Sequence, residues 1–292
     1  MNLTTAMNRT TDNWIDFRSD TVTKPTPAMR QAMMSAEVGD DVWGEDPTVQ
    51  KLEQTLAERA GMQAGLFMPS GTQSNLVALL THCARGDEYI VGQQAHTYKY
   101  EGGGAAALGG IQPQPLNMTP FGGLDLDDVE HAIKPDDCHF ARTRLLCLEN
   151  TVHGKVLPLD YIHQARDLTR EFNLKLHLDG ARLFNAVVAL DCSLQEVTSC
   201  VDTVSICLSK GLGAPIGSVL LGSAQFIREA RRWRKVTGGG MRQAGIVAAA
   251  GLYALDNNVQ RLAEDHRRAS KLYDHLLRAG YVLEAPQTNM LF

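Results

Sequence analysis

The chain has 292 residues, 44% of them hydrophobic and 21% charged, with 28 Lys and Arg against 33 Asp and Glu for a net charge of −5. That composition excludes disorder as the main state, and the length suits one large domain with or without a small one. No apolar run approaches the about 18 residues of a membrane helix, and the lack of any basic cluster beyond residues 228–235 argues against nucleic-acid binding.

Residues 1–15 lack the apolar core of a signal peptide and read as a disordered tail of a cytoplasmic protein. Asp46-Pro47 opens a helix, Asp as cap and Pro in the first turn, with Val49, Leu52 and Leu56 on one face and Gly61 at its close. A short buried strand follows at 64–69, a helix at 72–84 ended by Gly86, and a strand at 88–92. Asp125 caps a helix through 133. An apolar strand at 143–149, a helix at 159–172 and strands at 174–178, 203–208 and 216–221 complete the alternation. Short buried strands between helices imply an α/β fold, a mostly parallel sheet flanked by helices. The basic residues 228–235 form a solvated helix face or a local anion site. Three helices follow the last of these strands, at 223–236, 241–255 and 259–278. Gly280 ends the last one, and 281–292 reads as a returning strand. We expect a large domain over 16–258 and the start of a small C-terminal domain, incomplete in this chain, over 259–292.

The six cysteines form no C-x-x-C pair, and most sit in apolar surroundings. They read as buried reduced thiols, and no residue set has the spacing of a metal site.

The strongest chemical signal is Asp179 and Lys210, each at the end of an apolar strand. In open parallel sheets, ligands bind beyond the carboxyl ends of strands. A carboxylate and an amine at two such ends suit pyridoxal phosphate, which needs a lysine for its aldehyde and an acid for its ring nitrogen. Only Lys210 among the lysines directly follows an apolar strand and precedes a glycine-rich turn (Gly211, Gly213, Gly217). Either residue alone would read as an ordinary loop-end charge. Pro69-Ser70-Gly71-Thr72-Gln73, between a strand and a helix, offers a phosphate site: free N–H groups, Gly71 for close approach and the Thr72 hydroxyl. Taken alone it is simple N-capping. His96 follows a strand end, where it could stack on the cofactor ring or move a proton, although a lone histidine is more often structural. His139 precedes the strand at 143–149 and has a weaker claim. Arg182 could reach the cofactor's phenolic oxygen or form a salt bridge at a helix start. Gly102-Gly103-Gly104-Ala105-Ala106-Ala107 fits a loose dinucleotide pattern but does not follow a strand, and reads as a closely packed small-residue helix.

Four segments, Asp16-Phe17-Arg18-Ser19-Asp20-Thr21-Val22-Thr23, Gly39-Asp40-Asp41-Val42-Trp43-Gly44-Glu45-Asp46-Pro47-Thr48, Leu178-Asp179-Gly180-Ala181-Arg182 and Ser209-Lys210-Gly211-Leu212-Gly213, resemble the L-threonine aldolases, most closely the low-specificity bacterial type. The resemblance runs from about Asp16 to Phe292. It implies the aspartate-aminotransferase-like pyridoxal-phosphate fold (fold type I) and cleavage of L-threonine, L-allo-threonine and other β-hydroxy amino acids, such as phenylserine, in a homotetramer with sites between subunits. It implies Lys210 as the cofactor lysine and Asp179 as the ring-nitrogen partner. His96 would serve as ring stack and base, supported by His139. Ser19 would hold the substrate carboxylate, and Gly71 and Thr72 the phosphate. Lys235 and Arg242 match positions near the site, reached from a neighbouring subunit. Trp43 stands where relatives often carry Tyr. Relatives continue past Phe292 with an arginine that grips the substrate carboxylate. A pyridoxal-phosphate β-eliminating lyase is the alternative enzyme, and a non-catalytic protein on the same fold would be expected to have lost Lys210 or Asp179.

Overall fold

The computed structural model describes residues 15–292, so the expected N-terminal tail lies outside the described residues except for its last position. In chain order the helices are α1 (Pro27–Met34), α2 (Pro47–Arg59), α3 (Gly71–His82), α4 (His96–Lys99), α5 (Leu126–Ala132), α6 (Leu159–Glu171), α7 (Leu183–Leu190), α8 (Leu194–Thr198), α9 (Ala224–Val236), α10 (Gly245–Asn257) and α11 (Leu262–Arg278). The strands are β1 (Ala64–Met68), β2 (Asp87–Gly92), β3 (Gln112–Leu116), β4 (Arg142–Glu149), β5 (Lys175–Gly180), β6 (Thr203–Cys207) and β7 (Ser218–Gly222).

The helix starts follow from their caps. Asp46 accepts from the Thr48 and Val49 amides to open α2, Asp125 accepts from Asp127 to open α5, and Ser223 accepts from Phe226 to open α9. Each satisfies N–H groups that the first turn leaves free.

The strands form one sheet in the order β1-β7-β6-β5-β4-β2-β3. Pairs β2–β3, β2–β4, β4–β5 and β5–β6 are parallel, while β7 runs antiparallel to both neighbours. One reversed strand in seven makes the sheet mostly parallel, as expected, and β1 points the same way as β6. The carboxyl ends of β1, β2, β4, β5 and β6 therefore share one edge.

Strand alternation assigns the two faces. Ile90, Leu146, Leu148, Leu176, Leu178, Val204 and Ile206 face one side, in the main core with α2, α6, α7 and α10. Tyr89, Val91, Leu145 and Cys147 face the other, in a second core with residues of α3. Leu66, Met68 and Leu220 join α3 and α9 in a third. On that second face β5 presents His177 and Asp179, and β6 presents Thr203 and Ser205, all buried. A polar stripe thus lies under α3.

Two expectations change. The described residues 281–292 hold no strand; side chains dock this segment instead, Gln287 accepting from the Val156 amide at 2.8 Å and the Thr288 hydroxyl donating to the Gly154 carbonyl at 2.7 Å. The small-residue run after Gly102 becomes a π-helical turn over Ala105–Gly109. Of the cysteines, Cys83, Cys147, Cys200 and Cys207 are buried thiols, but Cys192 is half-buried and Cys138 exposed. None of the described helices is long and apolar enough to cross a membrane.

Candidate active site

At the shared edge, β1 leads into Ser70 and the start of α3. Ser70 accepts from the Gln73 amide at 3.1 Å. A Cβ built on Gly71 would meet nothing within 4 Å, so the helix start is open to a ligand. Its free N–H groups and positive dipole end suit an anion. Thr72 is exposed beside it.

After β6 the chain turns through Ser209 and Lys210. The Lys210 carbonyl accepts from the Thr23 hydroxyl at 2.8 Å and from the Gly213 amide at 2.8 Å. Gly213 closes this turn at φ +81°, which favours glycine. The Lys210 ammonium lies near enough to lower both Asp20 and Glu149 electrostatically.

At the end of β5, Asp179 is 3% exposed. One carboxylate oxygen accepts from the Ala181 amide at 3.0 Å and the other from the Asn75 side chain at 2.8 Å. His96 opens α4 after β2. Its amide donates to Glu149 at 2.7 Å, and its Nδ1 lies 2.8 Å from Glu101. The Glu101 hydrogen bond raises the imidazole pKa despite partial burial. Donation from Nδ1 leaves Nε2 as the acceptor. One ligand atom each of His96, Glu101 and Asp179 lies within 4.8 Å of the other two. Glu149 pairs with Asp179 across β4 and β5. Burial, with the Asp179 charge added, pushes its carboxyl up to about 8.

The structure therefore brings together Lys210, Asp179 and His96, with Gly71 and Thr72 at the neighbouring helix start. Ser19 caps a 3-10 turn at Asp20–Val22, accepting from the Thr21 amide at 3.2 Å. Arg182 is held by Asp20 through Nε at 2.9 Å and Nη2 at 2.6 Å, which leaves Nη1 without a protein acceptor among the described residues. Burial opposes it, yet this pair holds the Asp20 carboxyl below its ordinary range.

Three expected residues stand apart within one chain. His139 lies on the loop before β4, with its side chain 81% exposed and paired to Asp137 at 2.6 Å. β4 spans on the order of 20 Å, and Glu149 is at its far end. His139 cannot reach His96 in its own chain. Lys235 is exposed at the end of α9, and Arg242 is exposed and paired with Asp40 at 2.8 Å. Both flank the loop of Gly238, Gly239 and Gly240. That loop packs on the start of α3, where a Cβ on Gly239 would lie 2.3 Å from the Gln73 side chain. They border the α3 end of the site without entering it.

Asn75, Glu101, Glu149 and Asp20 belong to the site and had no assigned role in the sequence. The alternation of Leu176-His177-Leu178-Asp179 and Thr203-Val204-Ser205-Ile206, which places polar and apolar residues on opposite faces, signals the polar stripe under α3 but none of these four.

A β-eliminating lyase family model matches residues 16–292. The low-specificity L-threonine aldolase of Escherichia coli (strain K12) is 60% identical over 278 residues, 95% of this chain and 84% of that protein. This chain belongs to the threonine aldolase family. A probable low-specificity L-threonine aldolase 2 of Arabidopsis thaliana is 47% identical, over 97% of this chain and 82% of its own length. A Leishmania major threonine aldolase structure superposes with a TM-score of 0.81 at 25% identity, covering 94% of this chain and 82% of that one. The fold is the family's, the aspartate-aminotransferase-like fold type I, and the chain is a lyase of that family.

Proposed function

We propose that the protein cleaves L-threonine and L-allo-threonine to glycine and acetaldehyde with pyridoxal phosphate bound between the end of β5 and the start of α3. The observation that carries this reading is the meeting of Lys210, Asp179 and His96 at one sheet edge, beside an open helix N-terminus. The residues present fit the cofactor: Asp179 keeps acceptor capacity beyond its two protein donors, and the space at Gly71 admits a phosphate.

When bound, pyridoxal phosphate supplies an aldehyde that condenses with amines and a ring that accepts the electrons of a breaking bond. Lys210 is the amine that would hold it, and Asp179 would partner its ring nitrogen. Gly71 and Thr72 would receive the phosphate, and Arg182 would offer Nη1 to a further oxygen. Glu101 holds His96 by Nδ1, so that Nε2 takes the proton of the substrate β-hydroxyl as the Cα–Cβ bond breaks and acetaldehyde leaves. A general base of this kind contributes about 10²–10⁴-fold. Ser19 binds the substrate carboxylate.

His139, Lys235 and Arg242 act from a second copy of the chain, because none enters the site of its own. The assembly is a homotetramer with sites between paired subunits. The cytoplasm, where buried thiols stay reduced, is its compartment.

The test is acetaldehyde release from both substrates by purified protein with added cofactor, matched one-for-one by glycine. Lys210→Ala should abolish release and the adduct fixed by borohydride. Release of pyruvate and ammonia from β-substituted amino acids in place of acetaldehyde would make the protein a β-eliminating lyase.

A further inference from the structure

Asn75 sits in the second turn of α3 and is 2% exposed. Its amide nitrogen lies 2.9 Å from Glu101 Oε1 and 2.8 Å from Asp179 Oδ2. An amide nitrogen carries two hydrogens, and both are used on two carboxyl groups that would otherwise repel. The amide oxygen must then face away, toward His177 Nε2 at 3.3 Å.

That orientation sets the rest of a buried chain. His177 carries its proton on Nε2, so its Nδ1 accepts from the Thr203 hydroxyl at 2.9 Å. The Thr203 oxygen accepts in turn from His82 Nε2 at 2.8 Å. Burial pushes His177 down to about 3 and His82 down to about 4, so both imidazoles are neutral and each supplies one donor. Every link has one donor and one acceptor, and the direction runs from α3 and β6 toward Asp179. Fully satisfied buried networks of this kind hold their members in one arrangement.

We propose that Asn75 is a positioning residue for Asp179: its two amide hydrogens fix the carboxylate that meets the cofactor ring nitrogen and tie it to the Glu101–His96 pair, with His177, Thr203 and His82 as rear support. The proposal rests on the pyridoxal-phosphate reading of the site. It identifies the only protein side chain hydrogen-bonded to both the Asp179 carboxylate and the Glu101 carboxylate among the described residues.

The test uses the full chain freed of cofactor and titrated with pyridoxal phosphate, or with the analogue in which C–H replaces the ring nitrogen. Binding is read from the visible absorbance of the bound ligand. A hydrogen bond to a charged group is worth about 10- to 100-fold in an equilibrium. Asn75→Leu should weaken pyridoxal phosphate by about that factor and leave the analogue's affinity unchanged, because the analogue makes no bond to Asp179. Thr203→Val, close to Thr in shape but without the hydroxyl, should show the same selectivity with a smaller loss. It carries the test if Asn75→Leu does not fold. Equal weakening of both ligands, or of neither, would overturn the positioning role. Wild-type protein that binds neither ligand would overturn the site reading and the inference with it.

Discussion

Glu149 carries a second chemistry at the same edge. Its carboxyl accepts from the His96 amide and lies next to Asp179, and burial pushes it up to about 8. In the unfolded chain an ordinary glutamate titrates near ~4.3. Between those values the folded protein holds a proton that the unfolded chain has released. Stability then falls as pH rises through the window, with no penalty below it and the full penalty above it. Glu149→Gln removes that proton equilibrium while keeping size. Its denaturation midpoint should gain on wild type at pH 9 and lose that advantage at pH 4. An advantage that does not change with pH would mean that Glu149 titrates normally. Glu149 was not legible as a site residue, because in Leu145-Leu146-Cys147-Leu148-Glu149 it reads as the polar end of an apolar strand. Lys210 and Asp179 were legible only as a pair: alone each reads as an ordinary loop-end charge, and it is a carboxylate and an amine at the ends of two strands that suit one cofactor. The distance of His139 from His96 within one chain was not legible, because a motif position says nothing about which end of β4 it occupies.

Among the elements, the cap at Asp46 joins more than one. Asp46 is fully buried. One carboxylate oxygen caps α2 through the Thr48 and Val49 amides at 3.1 and 3.0 Å. The other accepts from the Gly245 amide at the start of α10 at 2.8 Å and from Gly39 at 3.3 Å. Two helix N-termini meet one carboxylate, and their dipoles offset the cost of burying it. Asp46→Ala leaves four N–H groups, two buried and two part-buried, without that acceptor. It should cost about 3 kcal/mol in chemical denaturation, more than the about 1 kcal/mol of an ordinary cap. Asp46→Asn, which keeps one acceptor oxygen, should lose less. Equal losses would mean that only one oxygen matters. Caps of this kind made α2, α5 and α9 readable. β3 was not readable, because Pro113 and Pro115 argue against a strand. It survives as the sheet edge, pairing only with β2, where prolines two apart send their missing N–H groups outward. Residues 281–292 misled in the opposite way. Their apolar residues suggested a strand, but the Gln287, Thr288 and Asn289 side chains hold the segment to the loop after β4 and to Asp20.

At the scale of the molecule, a single chain leaves the site's outer wall exposed. The Asp41–Trp43 turn is tied to the Gly240 loop, with the Asp41 amide donating to the Arg242 carbonyl at 2.9 Å and Arg242 pairing with Asp40. On this wall Trp43 is 76% exposed and Val236 is 72% exposed. Lys235 and Arg242 border them. Exposed aromatic and aliphatic groups ringed by cations have the make-up of an interface core and rim. The wall adjoins the start of α3, so a second copy seated there would close the phosphate end of the site. Symmetry would then return the same contact to the first copy. Trp43→Glu places a charge in the middle of that contact, far from Lys210 in sequence and outside its hydrogen bonds. The wild-type mass by light scattering should be a multiple of one chain, and Trp43→Glu should shift it to a smaller species. The variant should also need more pyridoxal phosphate to reach the same visible absorbance, since its phosphate end stays open to water. A wild-type protein that runs as a single chain, or a variant whose mass does not change, would show that this wall faces solvent and that the cations beside it serve no second site.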